Sequence, residues 1–311
     1  MATRTPPAES PPTDIALDIA TGLMGRVRSI EIRTRRLAAS DVSGSYRSVF
    51  RGAGIEFAEA REYVPGDDIR RIDWNVTARM GVPWVKEYVE ERDLTVVCAV
   101  DRSASMLAAH GAGGRIRAAA ELVALLGFAA AYNHDRTALL TFSDRIEAFV
   151  PPKRGARHVV RQIRDVLHAD LASGRGTAMA PALEYLGRVL RRRSVVFLLS
   201  DFLDSGYESA LQTLARRHEV IALTLIDPLD EALPDVGLID LEDIERGGRL
   251  VVDTSDARTR EAYQERARSR RLRREETFAR AGVDEIAIRL EQDVVEPVAA
   301  YFRRRARAVS G

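Results

Sequence analysis

Two oxygen-rich motifs follow apolar segments of this chain, and each contains an aspartate. The first is Asp101-Arg-Ser-Ala-Ser105, which comes directly after the apolar run 94–100. The second is Ser200-Asp201, which follows the apolar run 195–199. Carboxylates and hydroxyls are hard oxygen ligands, which suit Mg²⁺, Mn²⁺ or Ca²⁺ and do not suit zinc. The residue types therefore indicate a site for a hard divalent cation.

A third candidate ligand is Thr177, which ends the glycine-rich segment Gly174-Arg-Gly-Thr177 just before a predicted helix. Its hydroxyl can reach the same crevice if all three segments end at one edge of a sheet. Each motif alone is a weak signal, because Ser and Asp are also common turn and N-cap residues. Together they predict a metal site with five oxygen-bearing side chains: Asp101, Ser103, Ser105, Thr177 and Asp201.

From residue 94 onwards, apolar strands alternate with helices. The runs 96–100, 195–199 and 220–226 are almost wholly apolar, as expected of central parallel strands. Helical patterns occur between the predicted strands, at 115–132 (predicted to be amphipathic), 157–167, 180–191 and 207–216. This alternation predicts an α/β fold with a doubly wound, mostly parallel, Rossmann-like sheet and helices on both faces.

The patterning divides the chain into three parts. Residues 1–14, rich in Pro, Thr and Ser, are predicted to form a disordered tail. Residues 15–93 are predicted to form an N-terminal helical stretch and then a small β-rich region. Residues 94–307 are predicted to be the α/β domain, into which a polar hairpin near 235–253 is inserted. A long charged helix at 256–281, a strand at 284–290 and a closing helix at 294–307 are predicted to complete it.

Composition limits the range of functions. Charged residues make up 30% of the chain and the net charge is only +1, so no overall field favours nucleic acid, and no nucleic-acid partner is expected. We also expect no transmembrane segment, because no apolar run reaches about 18 residues. The single cysteine, Cys98, lies in an apolar run and is predicted to be a buried, unreactive thiol. A chain without an internal disulfide suits the cytoplasm, which is the expected location.

The order D-x-S-x-S, then Thr, then Asp resembles the metal-ion-dependent adhesion site of von Willebrand factor A-like domains. The separations also resemble those of that family: 72 residues from Ser105 to Thr177, and 24 from Thr177 to Asp201. The resemblance implies that Ser103 and Ser105 ligate the metal directly, and Thr177 directly or through water. It implies that Asp101 and Asp201 act largely through water and by orienting the hydroxyls, with Mg²⁺, or Mn²⁺ or Ca²⁺, as the cofactor.

A second resemblance lies upstream of that site. Tyr63-Val-Pro-Gly-Asp-Asp68 and Ile72-Asp-Trp74, with the flanking segments 50–57 and 78–79, resemble the bacterial family called domain of unknown function 58. The resemblance covers about residues 15–307. Members look like von Willebrand A-like proteins encoded beside MoxR-type AAA+ ATPases. The resemblance therefore implies an adaptor or co-chaperone that binds such an ATPase, or its client, during assembly or activation of another complex. The partner is expected to donate an acidic side chain to the metal.

Two other functions remain open at this point: a structural scaffold with a vestigial metal site, and a metal-dependent hydrolase acting on phosphate esters. We expect no enzyme activity and no catalytic residues. The histidines form no H-x-x-x-H or H-E-x-x-H pair, and the chain has neither a G-x-S-x-G elbow nor a G-x-x-x-x-G-K-[ST] phosphate loop. These absences favour binding over catalysis.

Two charged segments each allow two interpretations. The residues between Arg61 and Arg79 form either an ion-pair network that docks the small region, with Trp74 as an anchor, or a partner surface. The six arginines between Arg266 and Arg274 form either a solvated helix face with intrahelical ion pairs or a surface for RNA or an acidic protein. Asp204, close to the second motif, is predicted to be a loop or helix-cap residue.

Overall fold

The computed structural model describes residues 34, 38, 46, 49, 56–89, 94–107, 114–168, 176–242 and 248–310. The strands are β1 (Glu56–Glu62), β2 (Trp84–Val89), β3 (Thr95–Asp101), β4 (Arg136–Phe142), β5 (Ile146–Lys153), β6 (Val195–Ser200), β7 (Glu219–Ile226), β8 (Leu238–Glu242), β9 (Arg249–Asp253) and β10 (Asp284–Arg289). The α-helices are α1 (Trp74–Met80), α2 (Ala104–Leu107), α3 (Gly114–Tyr132), α4 (Ala156–Leu167), α5 (Met179–Val189), α6 (Glu208–Ala215), α7 (Pro228–Glu231), α8 (Ala257–Ala281) and α9 (Val295–Ser310).

The central sheet contains six strands in the order β10-β7-β6-β3-β4-β5. Neighbouring strands are parallel, except that β5 runs antiparallel to β4 at one edge. Read from the β5 edge and counted along the chain, the strands follow the 3-2-1-4-5-6 order of doubly wound folds. The predicted doubly wound, mostly parallel α/β fold is therefore confirmed.

Helices cover both faces of this sheet. α3, α4 and α9 pack on one face, and α5, α6 and α8 pack on the other. Alternate residues of β3 point to opposite faces: Cys98 and Val100 enter the first core, and Val97 and Ala99 enter the second. Cys98 is fully enclosed, and burial raises the pKa of its thiol to about 12. The prediction of a buried cysteine is confirmed.

Helix α3 is apolar on every side, so the prediction that it is amphipathic is wrong. Its residues from 118 to 130 are all buried. The reason is that α3 lies against β3, β4 and β7 while α4 and α9 pack against its other sides. Despite this apolar composition, no helix in the described part of the chain is long and apolar enough to cross a bilayer.

Four residues before β1 are described, and they pack onto this α/β domain. Thr34, Ala38 and Tyr46 are buried, and Val49 is partly buried against the α3 core. The Tyr46 hydroxyl donates a hydrogen bond to Asp135 at 3.0 Å, and its ring meets Phe302 edge-on. The predicted disordered tail and the rest of the predicted N-terminal helical stretch lie outside the described residues.

The region predicted to be β-rich contains a two-stranded antiparallel sheet, β1 with β2, and also helix α1. The sequence patterns did not predict α1, which is only two turns long. Its ends are defined by local chemistry. Asp73 caps the first turn by accepting hydrogen bonds from the backbone N–H of Asn75 and Val76. Gly81 ends the helix with a left-handed φ of 75°.

The charged residues of this region hold its own turns together. Asp67 accepts two hydrogen bonds from the Arg61 guanidinium, each 2.7 Å long, and one from the Val64 N–H across the Pro65-Gly66 turn. Trp74, in contrast, is 70% exposed, so the interpretation of Trp74 as a docking anchor is wrong. The tryptophan starts the short helix α1, none of whose residues is buried.

The insertion before α8 is an antiparallel hairpin made of β8 and β9, with Gly248 at the start of the return strand. The prediction that it is polar is wrong, because Leu238, Leu250 and Val251 are each more than 60% exposed. Within the described residues β8 and β9 pair only with each other, so no further strand shields these side chains.

The contact between α3 and α4 depends on one glycine. A Cβ atom placed on Gly127 would lie 2.7 Å from Cγ1 of Val159, whose branched side chain has little freedom to move. We expect Gly127→Ala to lower the free energy of unfolding by about 1–2 kcal/mol, since overpacking outweighs the gain of about 1 kcal/mol in helix propensity.

In a Val159→Ala background the added methyl group has room, so the same Gly127→Ala change should raise the free energy of unfolding. Urea denaturation of the four proteins measures both effects. Equal effects of Gly127→Ala in the two backgrounds would contradict the proposed steric contact.

Candidate metal centre

The two aspartate motifs lie side by side at the carboxyl edge of the sheet. β3 ends at Asp101, β6 ends at Ser200, and these two strands are hydrogen-bonded neighbours. From β3 the chain proceeds to β4 on one side, whereas from β6 it proceeds to β7 on the other. This reversal of strand order opens a crevice between the loops, the position at which doubly wound folds bind ligands.

The D-x-S-x-S motif folds into a tight turn that brings its oxygens together. The Ser103 N–H donates a hydrogen bond to Oδ1 of Asp101 at 2.8 Å. The hydroxyl oxygens of Ser103 and Ser105 lie 3.0 Å apart and share a hydrogen bond. Asp101 and Ser103 are completely buried, while Ser105, on the first turn of α2, is partly exposed. The turn therefore presents two hydroxyls beside one carboxylate.

The second motif is tied to the first by a direct hydrogen bond. The Ser200 hydroxyl donates to Oδ2 of Asp101 at 2.6 Å. Asp201, the next residue, is 4% exposed and accepts a hydrogen bond from the Leu203 N–H through Oδ1. These contacts bring four of the five predicted residues to one crevice: Asp101, Ser103, Ser105 and Asp201.

Phe202 turns the chain sharply after Asp201. It has a φ of 54°, in the left-handed region that bulky residues rarely adopt. Packing holds this conformation: the Phe202 ring meets the ring of Phe278 edge-on, with centroids 5.0 Å apart. Its N–H also donates to the Ser200 hydroxyl at 3.0 Å. The core on the α8 side of the sheet thus fixes where Asp201 lies.

Thr177 lies at the same edge of the sheet, in the half-buried segment that leads into α5. The next residue, Ala178, donates its N–H to the carbonyl of Ser143, which follows β4. The N–H of Met179 donates to the Asp204 carboxylate at 3.0 Å, which confirms Asp204 as a cap for α5. Thr177 therefore shares the carboxyl edge of the sheet with the other four residues.

Charge in the crevice is poorly balanced. Burial, together with the neighbouring Asp201 carboxylate, raises the pKa of Asp101 to about 7. Burial also raises the pKa of Asp201, although the Arg115 guanidinium and the Ser105 hydroxyl oppose that shift. Oδ2 of Asp201 is buried and has no hydrogen-bond partner among the described residues. A cation bound between the carboxylates would supply the missing partner.

The donor set fits a hard divalent cation. It consists of two carboxylates and three hydroxyls, the oxygen chemistry that Mg²⁺, Mn²⁺ and Ca²⁺ prefer. Nowhere in the described ranges do three or more His, Cys, Asp or Glu side chains form a group that could hold a metal. A zinc-type or carboxylate-rich centre is therefore not what these residues form. A site at this crevice would depend on hydroxyl ligands.

Three supporting residues were not among the predicted ligands. Ser200 stands beside Asp201 in the second motif. Arg102 occupies the first variable position of D-x-S-x-S and pairs with Glu147 at 3.1 Å. Arg115 had no local sequence signal. Its buried guanidinium donates to the carbonyl of Ser105 at 2.9 Å and to both carboxylate oxygens of Asp230 at 2.5 Å.

Comparison with known proteins identifies the family. The family model "Protein of unknown function DUF58" matches residues 59–273. The chain belongs to the DUF58 family. This DUF58 protein is 29% identical over 308 residues to the uncharacterized protein Rv1480 of Mycobacterium tuberculosis, covering 98% of this chain and 96% of the relative.

Solved structures similar to this DUF58 protein include BatB of Bacteroides thetaiotaomicron, 17% identical, with 69% of this chain and 99% of that chain covered and a TM-score of 0.42. A von Willebrand factor type A protein of Catenulispora acidiphila is 12% identical, with 71% of this chain and 44% of that chain covered and a TM-score of 0.36. The strand order and the two helical layers of this chain themselves show its doubly wound fold.

The uncompensated carboxylates lead to a prediction about stability. Asp201→Asn keeps the shape of the side chain and removes a buried negative charge next to Asp101. Without divalent metal at pH 8, we expect this variant to unfold with a free energy higher by on the order of 1 kcal/mol than the original chain. Urea denaturation in chelator measures the difference. A clear loss of stability would show that Arg115 already neutralises Asp201.

Proposed function

We propose that this DUF58 protein is a metal-dependent protein-interaction module. Its metal site is formed by the side chains that the two motifs and the Thr177 segment bring to the crevice: Asp101, Ser103, Ser105, Thr177 and Asp201. Mg²⁺ is the expected ion, with Mn²⁺ or Ca²⁺ as substitutes of the same hard chemistry. The fold class and the family membership support an interaction role, and the crevice supports its dependence on metal.

One observation carries the proposal. The buried Oδ2 of Asp201 lacks a hydrogen-bond partner among the described residues, beside a second buried carboxylate and a pair of hydrogen-bonded serine hydroxyls. Buried charges are normally paired or bound to metal, because desolvation is otherwise too unfavourable. A crevice that keeps two carboxylates out of water at the switch point of the sheet is therefore well suited to a cation.

The ligand set also favours binding over catalysis. Hydroxyls are weak, neutral ligands, so a bound Mg²⁺ would retain a strong preference for one more anionic oxygen. An Asp or Glu side chain of a partner protein supplies such an oxygen. His168, exposed at the end of α4, accepts a hydrogen bond from Arg102 of the first motif through its backbone carbonyl. The other described histidines, His134, His158 and His218, lie near the opposite edge of the sheet, close to where β4 and β7 begin. They are not positioned to act as a general base at the crevice.

The partner that we propose is a MoxR-type AAA+ ATPase or its client, with this chain as the adaptor. The support is the Tyr63–Trp74 signature and the family to which the chain belongs. In this proposal the ATPase hydrolyses ATP, and the DUF58 chain contributes recognition through a metal-bridged carboxylate.

Metal binding is tested directly by calorimetry. We expect Mg²⁺ or Mn²⁺ to bind the purified chain and to raise its melting temperature, since a ligand that binds only the folded state stabilises it. Ser105→Ala should weaken binding at least about tenfold, because it removes a ligand while leaving both carboxylates in place.

Asp144→Asn is the matched control for that experiment. Asp144 is an exposed carboxylate just beyond β4, at the same edge of the sheet, and its neutralisation should leave the metal affinity unchanged. If the original chain gives neither binding heat nor a change in melting temperature, the metal site is vestigial and the scaffold alternative holds.

Partner binding is tested by co-purification of the tagged chain with a MoxR-type AAA+ ATPase. We expect recovery of the ATPase in Mg²⁺, loss of recovery in chelator, and loss with Asp201→Asn, which keeps the side-chain shape. Asp144→Asn should again behave like the original chain. Recovery that is equally strong in chelator would rule out a metal bridge between the two proteins.

A further inference from the structure

A cleft of about 360 Å³ opens directly beside the proposed metal site, and Asp201 lines it. Leu225 and Ile226, at the end of β7, form its floor together with Leu203. Helix α7 forms one wall, and the middle of helix α8 forms the other. The cleft therefore leads from the crevice onto the arginine-rich face of α8.

The α8 wall presents four arginines at helical spacing. They are Arg268, Arg270, Arg271 and Arg274. Three of them make contacts away from their own helix: Arg270 with the Asp230 carbonyl, Arg271 with Glu231, and Arg274 with Glu285. The interpretation of the 266–274 run as a solvated face with intrahelical ion pairs holds for the exposed Arg271, which pairs with Glu275, but not for Arg270 and Arg274, which contact other elements.

Apart from Asp201, the carboxylates at the cleft already pair with arginines. Both oxygens of Asp230 accept hydrogen bonds from Arg115 at 2.5 Å. Glu231 pairs with Arg289 at 2.8 Å, and Glu285 pairs with Arg274 at 2.8 Å. These short pairs neutralise the side chains of Asp230, Glu231 and Glu285.

Two exposed arginines of the cleft retain positive charge, whereas the partly buried Arg270 is held against the Asp230 carbonyl. Arg271 reaches Glu231 only at 3.9 Å and Glu275 at 3.7 Å, and it is half-exposed. Arg268 is exposed and has no ion-pair or hydrogen-bond partner in the described parts of the chain. The exposed surplus charge therefore lies at Arg268 and Arg271, one helical turn apart on the same wall.

The wall is held rigidly against α7. The Tyr263 hydroxyl donates to the carbonyl of Leu229 at 2.7 Å, and Arg270 donates to the carbonyl of Asp230 at 3.2 Å. Asp230 in turn joins Arg115, which also binds the carbonyl of Ser105. One chain of contacts therefore fixes helix α8 relative to the metal-site loop.

We propose that this cleft binds acidic residues of the partner that neighbour the carboxylate bound to the metal. This inference rests on the proposed function and specifies the partner segment: an extended, acidic stretch of protein with several carboxylates in succession. Guanidinium groups pair well with carboxylates, and charge complementarity beside a single strong contact adds specificity.

The dimensions suit a short acidic stretch. Along α8, Arg268 and Arg274 are separated by a rise of about 9 Å, at 1.5 Å for each residue. An extended peptide covers that distance with about three residues, at 3.3 Å for each. About three successive residues of an extended acidic stretch can therefore face the wall between Arg268 and Arg274.

The test uses a fluorescein-labelled heptaglutamate peptide and the full chain in Mg²⁺, with fluorescence anisotropy as the readout. Arg268→Glu combined with Arg271→Glu should weaken peptide binding about tenfold, because each reversal replaces an attraction with a repulsion. The matched control is Arg266→Glu with Arg273→Glu, which makes the same change of charge on α8 outside the cleft. It should alter the affinity less than about threefold.

Calorimetry with Mg²⁺ alone and thermal melting accompany each variant. Unchanged metal affinity and melting temperature in the Arg268/Arg271 variant, with weaker peptide binding, support the proposal. Equal losses of peptide affinity in the two double variants would overturn the proposal, since the effect would then come from net charge. Peptide binding that depends on Mg²⁺ but is insensitive to the Arg268/Arg271 changes would also overturn it, while leaving the proposed function intact.

Two further outcomes separate the remaining possibilities. If the original chain binds no Mg²⁺, the proposed function fails, and the inference that rests on it fails too. A labelled oligodeoxythymidylate of similar charge serves as the nucleic-acid probe. If it binds without Mg²⁺ and loses affinity in the Arg268/Arg271 variant, the wall recognises nucleic acid and the acidic-protein proposal is wrong.

Discussion

The arrangement of the site depends on two carboxylates that are buried side by side where the order of the strands reverses. Asp101 ends β3, and Asp201 follows β6, its neighbour in the sheet. Placing two negative charges in a poorly solvated crevice is unfavourable unless something positive compensates them. Serine hydroxyls and backbone N–H groups satisfy three of the four carboxylate oxygens. The fourth, Oδ2 of Asp201, gives the crevice its affinity for a cation in our proposal.

The interactions of Arg115 reflect the need to compensate the buried negative charge. Arg115 lies at the start of the buried helix α3. Its positive charge is the largest influence that opposes the rise in the pKa of Asp201. Its hydrogen bonds nevertheless go to Asp230 and to the Ser105 carbonyl. It therefore moderates the negative charge without occupying the crevice. The apolar α3, enclosed on every side, anchors this arginine at a fixed place.

Local patterns in the sequence predicted the strands, most helices and the residues of both aspartate motifs, because strand periodicity and strand-end chemistry are local properties. Contacts between distant segments were not predictable in this way. The ion pair of Arg115 with Asp230 joins residues far apart in the chain. The elements that cover all sides of α3 are likewise supplied by other parts of the chain, so its complete burial was not predicted. Trp74 was expected to be an anchor from its size alone, and its 70% exposure follows from the position of α1.

The low net charge of the chain makes local charge the source of any selectivity. With a net charge of +1, the protein has no long-range field that attracts acidic partners in general. A divalent ion in the crevice and the surplus charge of Arg268 and Arg271 would together form a positive region within one cleft. At physiological ionic strength such charges act over about 8 Å. A partner with one isolated carboxylate would contact only the metal, whereas an acidic stretch would contact both the metal and the two arginines.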